Sequence, residues 1–556
     1  MDDMLAQAQE WVDSDPDPVT KTAGQAIIDG GDPEALSEHF GRRLAFGTAG
    51  MRGRLGPGPN RMNRALVRRV AAALGNYLMN RVEEPTIQAI VIGFDGRKGS
   101  RPFATDTARI LIDQGFKVYA FDEVCATPQL AHAITCLNAV AGVMVTASHN
   151  PPEDNGYKVY WSNGAQIIPP HDAGISAALD AIDGCPKPTT TLTPSAIPGA
   201  VWSDYIDRVL ALRVRPSTGV RAVYTAMHGV GWIPLHAILS AAGHTDIHAV
   251  PEQRDPNGDF PTVRFPNPEE PGALDLAIEH AQSVGADLIV ANDPDADRLA
   301  VALQNSDGLW VRLSGNQVGS LLAEELLAHG SVDPRRLVAT TIVSTILLKK
   351  IAAHHGAVCG ETLTGFKWLA NLALAHDGPF VLGFEEALGY SIGDVVRDKD
   401  GLSATLLLLD LASNLKTRGL TLWDALERLD ARHGAHRSEQ LAIKLDGETG
   451  ARAIEGVMRL LRTQPPSELA GSAVTYMRDL STGVGMDCRT GASTPVMLPK
   501  SNVMEFTLDD GTRILARPSG TEPKIKFYVE AVASTGLQAE KRASEVVVAV
   551  RRYARL

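Results

Sequence analysis

The chain has 556 residues, of which 44% are hydrophobic and 21% charged, a balance that excludes an unfolded chain, a coiled-coil rod and a lone small binding module. Fifty-three Lys and Arg against 65 Asp and Glu leave a net charge of -12, the wrong sign for a general binder of nucleic acid or anionic membrane, so any phosphate site must be local. At roughly 100–200 residues per domain, three to five domains are expected. The first residues, MDDMLAQAQEWVDSD, are acidic and carry no basic stretch followed by an apolar one. No segment approaches the roughly 18 uncharged apolar residues of a membrane span. Five scattered cysteines, with no C-x-x-C pair, read as reduced thiols, and a cytoplasmic location is expected.

From Ala89 to Thr146 short apolar runs alternate with helical stretches: AIVIGF, PFATDTARILIDQG, FKVYAF, TPQLAHAITCL and AVAGVMVT. Such alternation predicts βαβ units and a mostly parallel sheet. The Pro/Thr-rich PKPTTTLTPSAIPG (186–199) predicts an exposed loop near the end of this first domain. The same grammar returns in RAVYTAM, a helix over Trp232 to Ala242, DIHAV, a helix over Gly272 to Val284, and ADLIVAN. It returns again in LVATTIV, a helix over Leu347 to His355, and PFVLGF. After about Gly434 it changes: VMEFTLDD, TRILAR and KIKFYVEAVA read as antiparallel strands, and QAEKRASEVVVAVRRYA as a closing helix. The expected fold class is therefore α/β, with three consecutive α/β domains of mixed, mostly parallel sheets and a C-terminal α+β domain. The expected boundaries are 1–205, 206–316, 317–435 and 436–556.

In each α/β set an apolar strand runs into a polar loop, and in open α/β sheets ligands sit beyond the carboxyl ends of the strands. The first such loop is TASHNPPEDNG, in which Ser148 lies just past a buried strand. Two prolines prevent a helix from starting at once, and its hydroxyl is expected to be exposed on a stiff turn. An ordinary Ser/Thr turn is the plain alternative. There is no G-x-S-x-G elbow, which disfavours an acyl-transfer serine. The second loop, DPDADR, puts Asp293, Asp295 and Asp297 at alternate positions. In an extended segment these share a face and can converge on a hard cation such as Mg²⁺; without a counterion they would repel one another. An EF-hand is rejected because Arg298 stands where its glycine belongs.

The third loop, GFEEALGY, ends a strand with Glu385 and Glu386, which can accept hydrogen bonds from sugar hydroxyls or close salt bridges. RDKDG (397–401) offers Lys399 flanked by acids, a pattern usual for a solvated turn. Near the C-terminus, ARPSGTEPK joins two predicted strands with Arg517, Ser519, Gly520, Thr521 and Lys524, donors suited to a phosphate dianion. A candidate nucleophile, a cation site, a sugar-facing carboxylate and a phosphate clamp together fit Mg²⁺-assisted phosphoryl transfer on a phosphorylated sugar.

With these motifs in this order, the chain resembles the α-D-phosphohexomutase superfamily, the phosphoglucomutases and phosphomannomutases, over nearly its whole length. FGTAGMRG (46–53) is similar to the N-terminal loop that sets Arg52 near the transferring phosphoryl group. TASHNPPEDNGYK looks like the phosphoserine loop, which implies Ser148 as the phosphorylated residue and Lys158 as an acid/base or phosphate partner. The resemblance further implies Asp293, Asp295 and Asp297, with a phosphoserine oxygen at Ser148, as Mg²⁺ ligands. It implies Arg298 as a phosphate contact beside them and Lys399 as the preferred general base. Glu385, with Thr364, Gly365 and Lys367 of ETLTGFKW, would bind the sugar, and Arg517, Ser519, Gly520 and Thr521 its phosphate.

The implied enzyme is an intramolecular phosphotransferase, an isomerase that interconverts hexose 1- and 6-phosphates through a bisphosphorylated sugar, which also serves as primer. The implied architecture is four-domain and heart-shaped around a central cleft, with the last domain hinged. A phosphosugar is the expected partner, no nucleic acid or membrane is expected, and the expected assembly is a monomer or weak dimer. Many members carry a serine where this chain has Ala387. YTAMHGVG, FPTVRFPNPEEPGAL and ETLTGFKW look like a longer subfamily that includes phosphopentomutases, so a pentose substrate stays open beside glucose and mannose. A phosphatase with Asp293 as nucleophile and a non-catalytic phosphosugar-binding regulator are the rival readings.

Overall fold

The computed structural model describes residues 2–47, 50–81, 88–445, 447–519 and 524–555. The chain divides into two compact units, Met1–Val318 with Phe366–Thr417, and Gly319–Gly365 with Arg418–Leu556.

The first unit opens on three helices, Asp2–Ser14, Pro18–Gly30 and Pro33–Phe40. Two of them start on an aspartate cap followed by proline, Asp17-Pro18 and Asp32-Pro33, each carboxylate accepting a backbone N–H of the first turn. The first sheet has the order β1-β5-β4-β2-β3-β6, from β1 (Met51–Arg54), β2 (Ala89–Phe94), β3 (Lys117–Ala120), β4 (Ala141–Val145), β5 (Asp154–Trp161) and β6 (Ser195–Ala196). β2, β3, β4 and β6 run parallel. β5 lies antiparallel to β4, and β1 antiparallel to β5. Every residue of β2 and β4 is buried, as the unbroken apolar runs require of strands covered on both faces. Ile90, Ile92, Val143 and Val145 pack with Leu66, Val70 and Leu74 of the Arg64–Met79 helix. Burial of each such side chain stabilises the fold by about 1.5–3 kcal/mol. The segment 186–199 is largely exposed and irregular, as expected, but contributes β6 to the sheet edge.

The second sheet has the order β11-β10-β9-β7-β8, from β7 (Ala222–Thr225), β8 (Ile247–Ala249), β9 (Leu288–Ala291), β10 (Ala300–Gln304) and β11 (Trp310–Arg312). β7 is parallel to β8 and β9, and the hairpin partner β10 is antiparallel to β9. In the second unit β12 (Leu337–Thr341) runs parallel to β13 (Val358–Thr362). β14 (Phe380–Glu385) and β15 (Gly389–Ile392), back in the first unit, form an antiparallel hairpin. The Gly401–Lys416 helix follows, capped by Asp400, whose carboxylate accepts from the N–H groups of Leu402 and Ser403.

The remainder of the second unit is the antiparallel sheet anticipated for the C-terminus. Its strands are β16 (Ala435–Lys444), β17 (Glu468–Leu469), β18 (Ser472–Asp479), β19 (Val484–Asp487), β20 (Ser493–Pro495), β21 (Met504–Leu508), β22 (Arg513–Pro518) and β23 (Lys524–Ala533). They lie in the order β16-β23-β22-β21-β18-β19-β20, with β17 on β18. The helices Gly447–Thr463 and Gly536–Tyr553 bury Ile454, Met458, Val546 and Val550 with Phe506, Ile514 and Phe527. The expected α/β fold with mixed sheets is therefore observed. All five cysteines carry free thiols, and no helix among the described residues is long and apolar enough to cross a membrane.

Candidate active site

β4 delivers the chain into Thr146-Ala147-Ser148. The Thr146 hydroxyl accepts the Ser148 N–H at 2.8 Å, and Ser148 adopts φ 52°, a left-handed turn residue. This is the Ser/Thr turn considered as the plain alternative, and here it serves to aim the side chain. The Ser148 Oγ donates to Asp293 Oδ2 at 2.8 Å. Ser148 is 2% exposed, so the expectation of an exposed hydroxyl is corrected: the turn points it inward, against the second sheet's loop.

That loop leaves β9 and reverses at once. Ala296 takes φ 56° and donates its N–H to the Asp293 carbonyl at 2.9 Å. The three aspartates were expected to share a face through extended alternation. They converge instead because a tight turn folds Asp295 and Asp297 back over Asp293, leaving carboxylate oxygens of all three within 4.8 Å of one another and fully buried. β5 supplies the counter-charge. Its register sets Lys158 opposite Met144, and Lys158 Nζ reaches Asp295 Oδ2 at 2.7 Å and Asp297 Oδ2 at 3.0 Å. Lys399 Nζ lies 3.2 Å from Asp297 Oδ2 and 3.4 Å from Asp398 Oδ1. Tyr160 and Gln166 both donate to Asp398 Oδ2, at 2.6 and 2.7 Å, and so orient it.

Burial raises Asp293 well above the ordinary carboxylate range, and the neighbouring Asp295 and Asp297 charges push it further. Burial acts the same way on Asp295, but the Lys158 charge and hydrogen bonds from Lys158 and Thr127 outweigh it and hold that carboxyl low. Asp297 is lowered because Lys158, Lys399 and Arg298 outweigh burial and the Asp295 charge. The lysines respond in kind: burial alone would lower both, but the aspartates raise them, and both ammonium groups are held charged. Asp295 Oδ1 and Asp297 Oδ1 are buried without any hydrogen-bond partner. Two orphaned anionic oxygens beside a third carboxylate fit a small hard cation and little else.

Arg52 enters through β1, paired with Gly156 two residues before Lys158. Its Nε is buried and unpartnered. Gly50 lies where a Cβ would sit 2.0 Å from the Tyr157 carbonyl, so only glycine lets this segment close on β5. Thr48 and Ala49 fall outside the described residues. His149 is held well below its ordinary range by burial, then by the Arg298 and Arg52 charges, and so stays neutral, with a buried, unpartnered Nδ1. Arg298 reaches Glu269 at 3.4 Å, and its backbone bridges to Gly389 of the β14–β15 hairpin. The Lys399 stem packs so closely on Gly389 that a Cβ there would meet it at 2.4 Å. Glu385, at the end of β14, adds its charge to those that raise Lys399.

The first unit thus gathers Ser148, Lys158, Asp293, Asp295, Asp297, Arg298 and Lys399, with Arg52 and Glu385 on neighbouring strands. Lys367 also belongs to this unit, in the Phe366–Ala375 helix. Thr364 and Gly365 belong to the second unit, just after β13; the Thr364 hydroxyl is buried without a partner, and Gly365 has φ 117°. Arg517 also lies in the second unit, on β22 opposite Lys526, and the Ser519 N–H donates to the Lys524 carbonyl at 2.7 Å. Gly520 and Thr521 lie outside the described residues.

Two contributors escaped the sequence analysis. Arg97, in the loop after β2, donates to the carbonyls of Ser148 (2.6 Å), Asn150, Pro151 (2.7 Å) and Asp154 (3.2 Å), fastening the serine loop from beneath. Asp95 orients it through the Arg97 N–H and a contact to Nε at 3.4 Å. Thr127 donates its hydroxyl to Asp295 Oδ2 at 2.6 Å and its N–H to the Asp295 carbonyl at 2.9 Å. The signal for Arg97 was present: FDGRKGS follows an apolar strand, the same strand-to-polar-loop pattern that flagged the other loops. Arg97→Met is expected to leave these carbonyls unsatisfied and to lower kcat/KM by roughly 10²–10³-fold with little change in Mg²⁺ dependence. Steady-state kinetics over a Mg²⁺ series check this, and an unchanged kcat/KM would remove Arg97 from a positioning role.

A serine-bearing turn set against a buried carboxylate triad in an α/β scaffold is an arrangement suited to phosphoryl transfer. Family models described as phosphoglucomutase/phosphomannomutase alpha/beta/alpha domains I, II and III match residues 43–184, 203–308 and 314–430, and that of the C-terminal domain matches 472–547. The chain belongs to the phosphoglucomutase/phosphomannomutase family. Its members are phosphomutases, isomerases that transfer phosphate intramolecularly, and this chain is an enzyme of that kind.

The chain is 42% identical over 503 residues to a "probable phosphomannomutase" of Haemophilus influenzae, covering 89% of this chain and 98% of that one. It is 36% identical to a phosphoglucomutase of Staphylococcus epidermidis (89% of this chain, 92% of that one). It is equally identical to the human phosphopentomutase (98% and 95%). The fold is shared with the open form of the Paramecium phosphoglucomutase parafusin, with TM-score 0.69 and 19% identity, covering 92% of this chain and 96% of that one. It is also shared with a Burkholderia thailandensis phosphoglucomutase/phosphomannomutase family protein, with TM-score 0.67 and 20% identity, covering 92% and 97%.

Proposed function

We propose that the enzyme interconverts hexose 1-phosphate and hexose 6-phosphate, with glucose or mannose as the sugar, and that Ser148 carries the phosphoryl group between them. The observation that carries this reading is the 2.8 Å hydrogen bond from Ser148 Oγ to the first aspartate of the buried triad. Asp293, Asp295, Asp297 and a phosphoryl oxygen on Ser148 would hold Mg²⁺, which neutralises charge on the transferring group. The orphaned Asp295 and Asp297 oxygens support that assignment.

Phosphorylated Ser148 gives its phosphoryl group to the free hydroxyl of the sugar monophosphate: the Ser Oγ–P bond breaks, the sugar O–P bond forms, and the hydroxyl proton passes to a base. The bisphosphorylated sugar turns end for end, and its other phosphoryl group returns to Ser148, so the net reaction is isomerisation. Arg52 faces the charge that develops in transfer. Of the two lysines we assign Lys399 the proton, which it would accept as the neutral amine once a cation on Asp297 offsets the carboxylate charge that otherwise holds its ammonium charged. Its side chain is 12% exposed against 1% for Lys158, and Lys158 is pinned between two carboxylates as their structural counter-ion. Glu385, Thr364, Gly365 and Lys367 are assigned to the sugar; Arg298, Arg517, Ser519, Gly520 and Thr521 are assigned to its phosphate.

A pentose reading has its own support in the phosphopentomutase relatives that span nearly the whole chain, and in Ala387, which lacks a hydroxyl toward the substrate. ³¹P NMR of glucose, mannose, ribose and deoxyribose 1-phosphates, with Mg²⁺ and the matching bisphosphate, separates the two. Hexose turnover at the higher kcat/KM is expected; a preference for pentoses overturns the substrate assignment while leaving Ser148 chemistry intact.

A further inference from the structure

A second cluster of metal-ligating side chains lies outside the phosphotransfer site. His132 and Cys136 stand one turn apart on the Thr127–Cys136 helix, and Asp204 approaches from the Gly199–Ala211 helix. The three donors face one point: His132 Nε2 is 3.0 Å from Asp204 Oδ2 and 3.1 Å from Cys136 Sγ, and Cys136 Sγ is 3.4 Å from Asp204 Oδ2. The other ring nitrogen, Nδ1, lies 3.1 Å from the Val395 carbonyl. A carbonyl can only accept, so Nδ1 carries a proton and is directed away from the cluster, leaving Nε2 as the ring atom turned toward Asp204 and Cys136. Nε2 and the Asp204 carboxylate, 3.0 Å apart with the Cys136 sulfur beside both, share one positive centre, which a metal ion supplies in place of a proton.

We propose that His132 Nε2, Cys136 Sγ and Asp204 Oδ2 form a binding site for a thiophilic divalent cation, Zn²⁺, distinct from the aspartate triad. Imidazole and thiolate select Zn²⁺ over Mg²⁺. Tetrahedral coordination sets such donors roughly 3.3–3.7 Å apart, which the cluster reaches by opening a few tenths of an ångström. Asp204, with its side chain 49% exposed, and Cys136, half-buried at the helix end, make that adjustment, while His132 is wholly buried and fixed by the Val395 carbonyl, the outer partner that orients a ligating imidazole. A Cys-His-Asp nucleophilic triad is excluded by the same contacts, because it requires the acid on the ring nitrogen opposite the thiol, and here both share Nε2. Without metal the Cys136 thiol donates to Asp204 Oδ2; on binding, that proton leaves to solvent and the thiolate takes the metal.

Such an ion would tie three segments that bear on phosphotransfer. The His132 helix begins at Thr127, which holds Asp295. Tyr205, next to Asp204, stacks edge-on against His132 at 5.3 Å and donates to both oxygens of Asp400, and Val395 opens the loop that carries Lys399. The full-length protein, freed of metal with a chelator and then held in excess Mg²⁺, is titrated with Co²⁺ and with Zn²⁺. Wild type is expected to show a thiolate-to-cobalt charge-transfer band and to bind one more equivalent of Zn²⁺ than Cys136→Ser, which loses the band. Asp204→Asn, a change on a half-exposed side chain, is expected to keep the band with affinity at least about tenfold weaker. If wild type gives no sulfur band, or Cys136→Ser and wild type bind Zn²⁺ alike, the cluster is a hydrogen-bonded imidazolium–carboxylate pair and the proposal is overturned.

Discussion

Replacing Ser148 by Ala is expected to slow the interconversion of hexose 1- and 6-phosphates by on the order of 10⁴-fold or more. The alanine removes the hydroxyl that the β4 loop aims at Asp293, and with it the oxygen proposed to carry the phosphoryl group. Folding should survive: the turn is held by the Thr146 hydroxyl and by the Arg97 contacts to backbone carbonyls, none of which uses the Ser148 side chain. Incubation with labelled bisphosphate should mark wild type and leave Ser148→Ala unmarked. Were Asp293 the nucleophile of a phosphatase instead, phosphate turnover would continue in the variant near its original rate. That result would sink the mutase mechanism.

Asp295→Asn is expected to lower the rate by roughly 10³-fold and to raise the Mg²⁺ concentration needed for half-maximal activity at least about tenfold. The amide keeps the shape but drops a charge from the triad and halves the carboxylate pairing of Lys158, an ammonium that is itself fully buried. Breaking one side of a buried ion pair costs about 3–5 kcal/mol when no partner remains. Asp297 remains here, so the metal-free variant should lose less than that in denaturant unfolding. An unaltered Mg²⁺ dependence would show that the cation is held elsewhere.

The strands that carry the loops were legible because burial on both faces leaves an unbroken apolar run. AIVIGF and AGVMV mark β2 and β4, while β23 shows instead through the aromatic and β-branched residues of KIKFYVEAVA. β1 and β5 were not legible. MRGR and DNGYKVYW mix polar with apolar residues because one edge of each serves the site, and their pairing is long-range. Two of the three N-terminal helices are marked by Asp-Pro caps, and the apolar faces of the three, with Val12, Leu36 and Phe40, bury one another. The candidate site was readable as residue types and spacing, Ser148 and the three aspartates above all; Arg97 carried only the strand-to-loop signal of FDGRKGS, and Thr127 none, because it acts on a carboxylate 168 residues away.

Composition, periodicity and ordered motifs thus determined the fold class and the family and marked the candidate reacting groups, since each is written in local side-chain chemistry. What the tertiary structure alone decided is electrostatic. Whether three carboxylates repel or form a cation site depends on a turn at Ala296, on the register that sets Lys158 against Met144, and on burial that strengthens every charge within it. None of these is a property of neighbours in the chain. The same holds for the His132, Cys136 and Asp204 cluster, where the meeting of two helices, far apart in sequence, turns three ordinary side chains into a set of converging ligands.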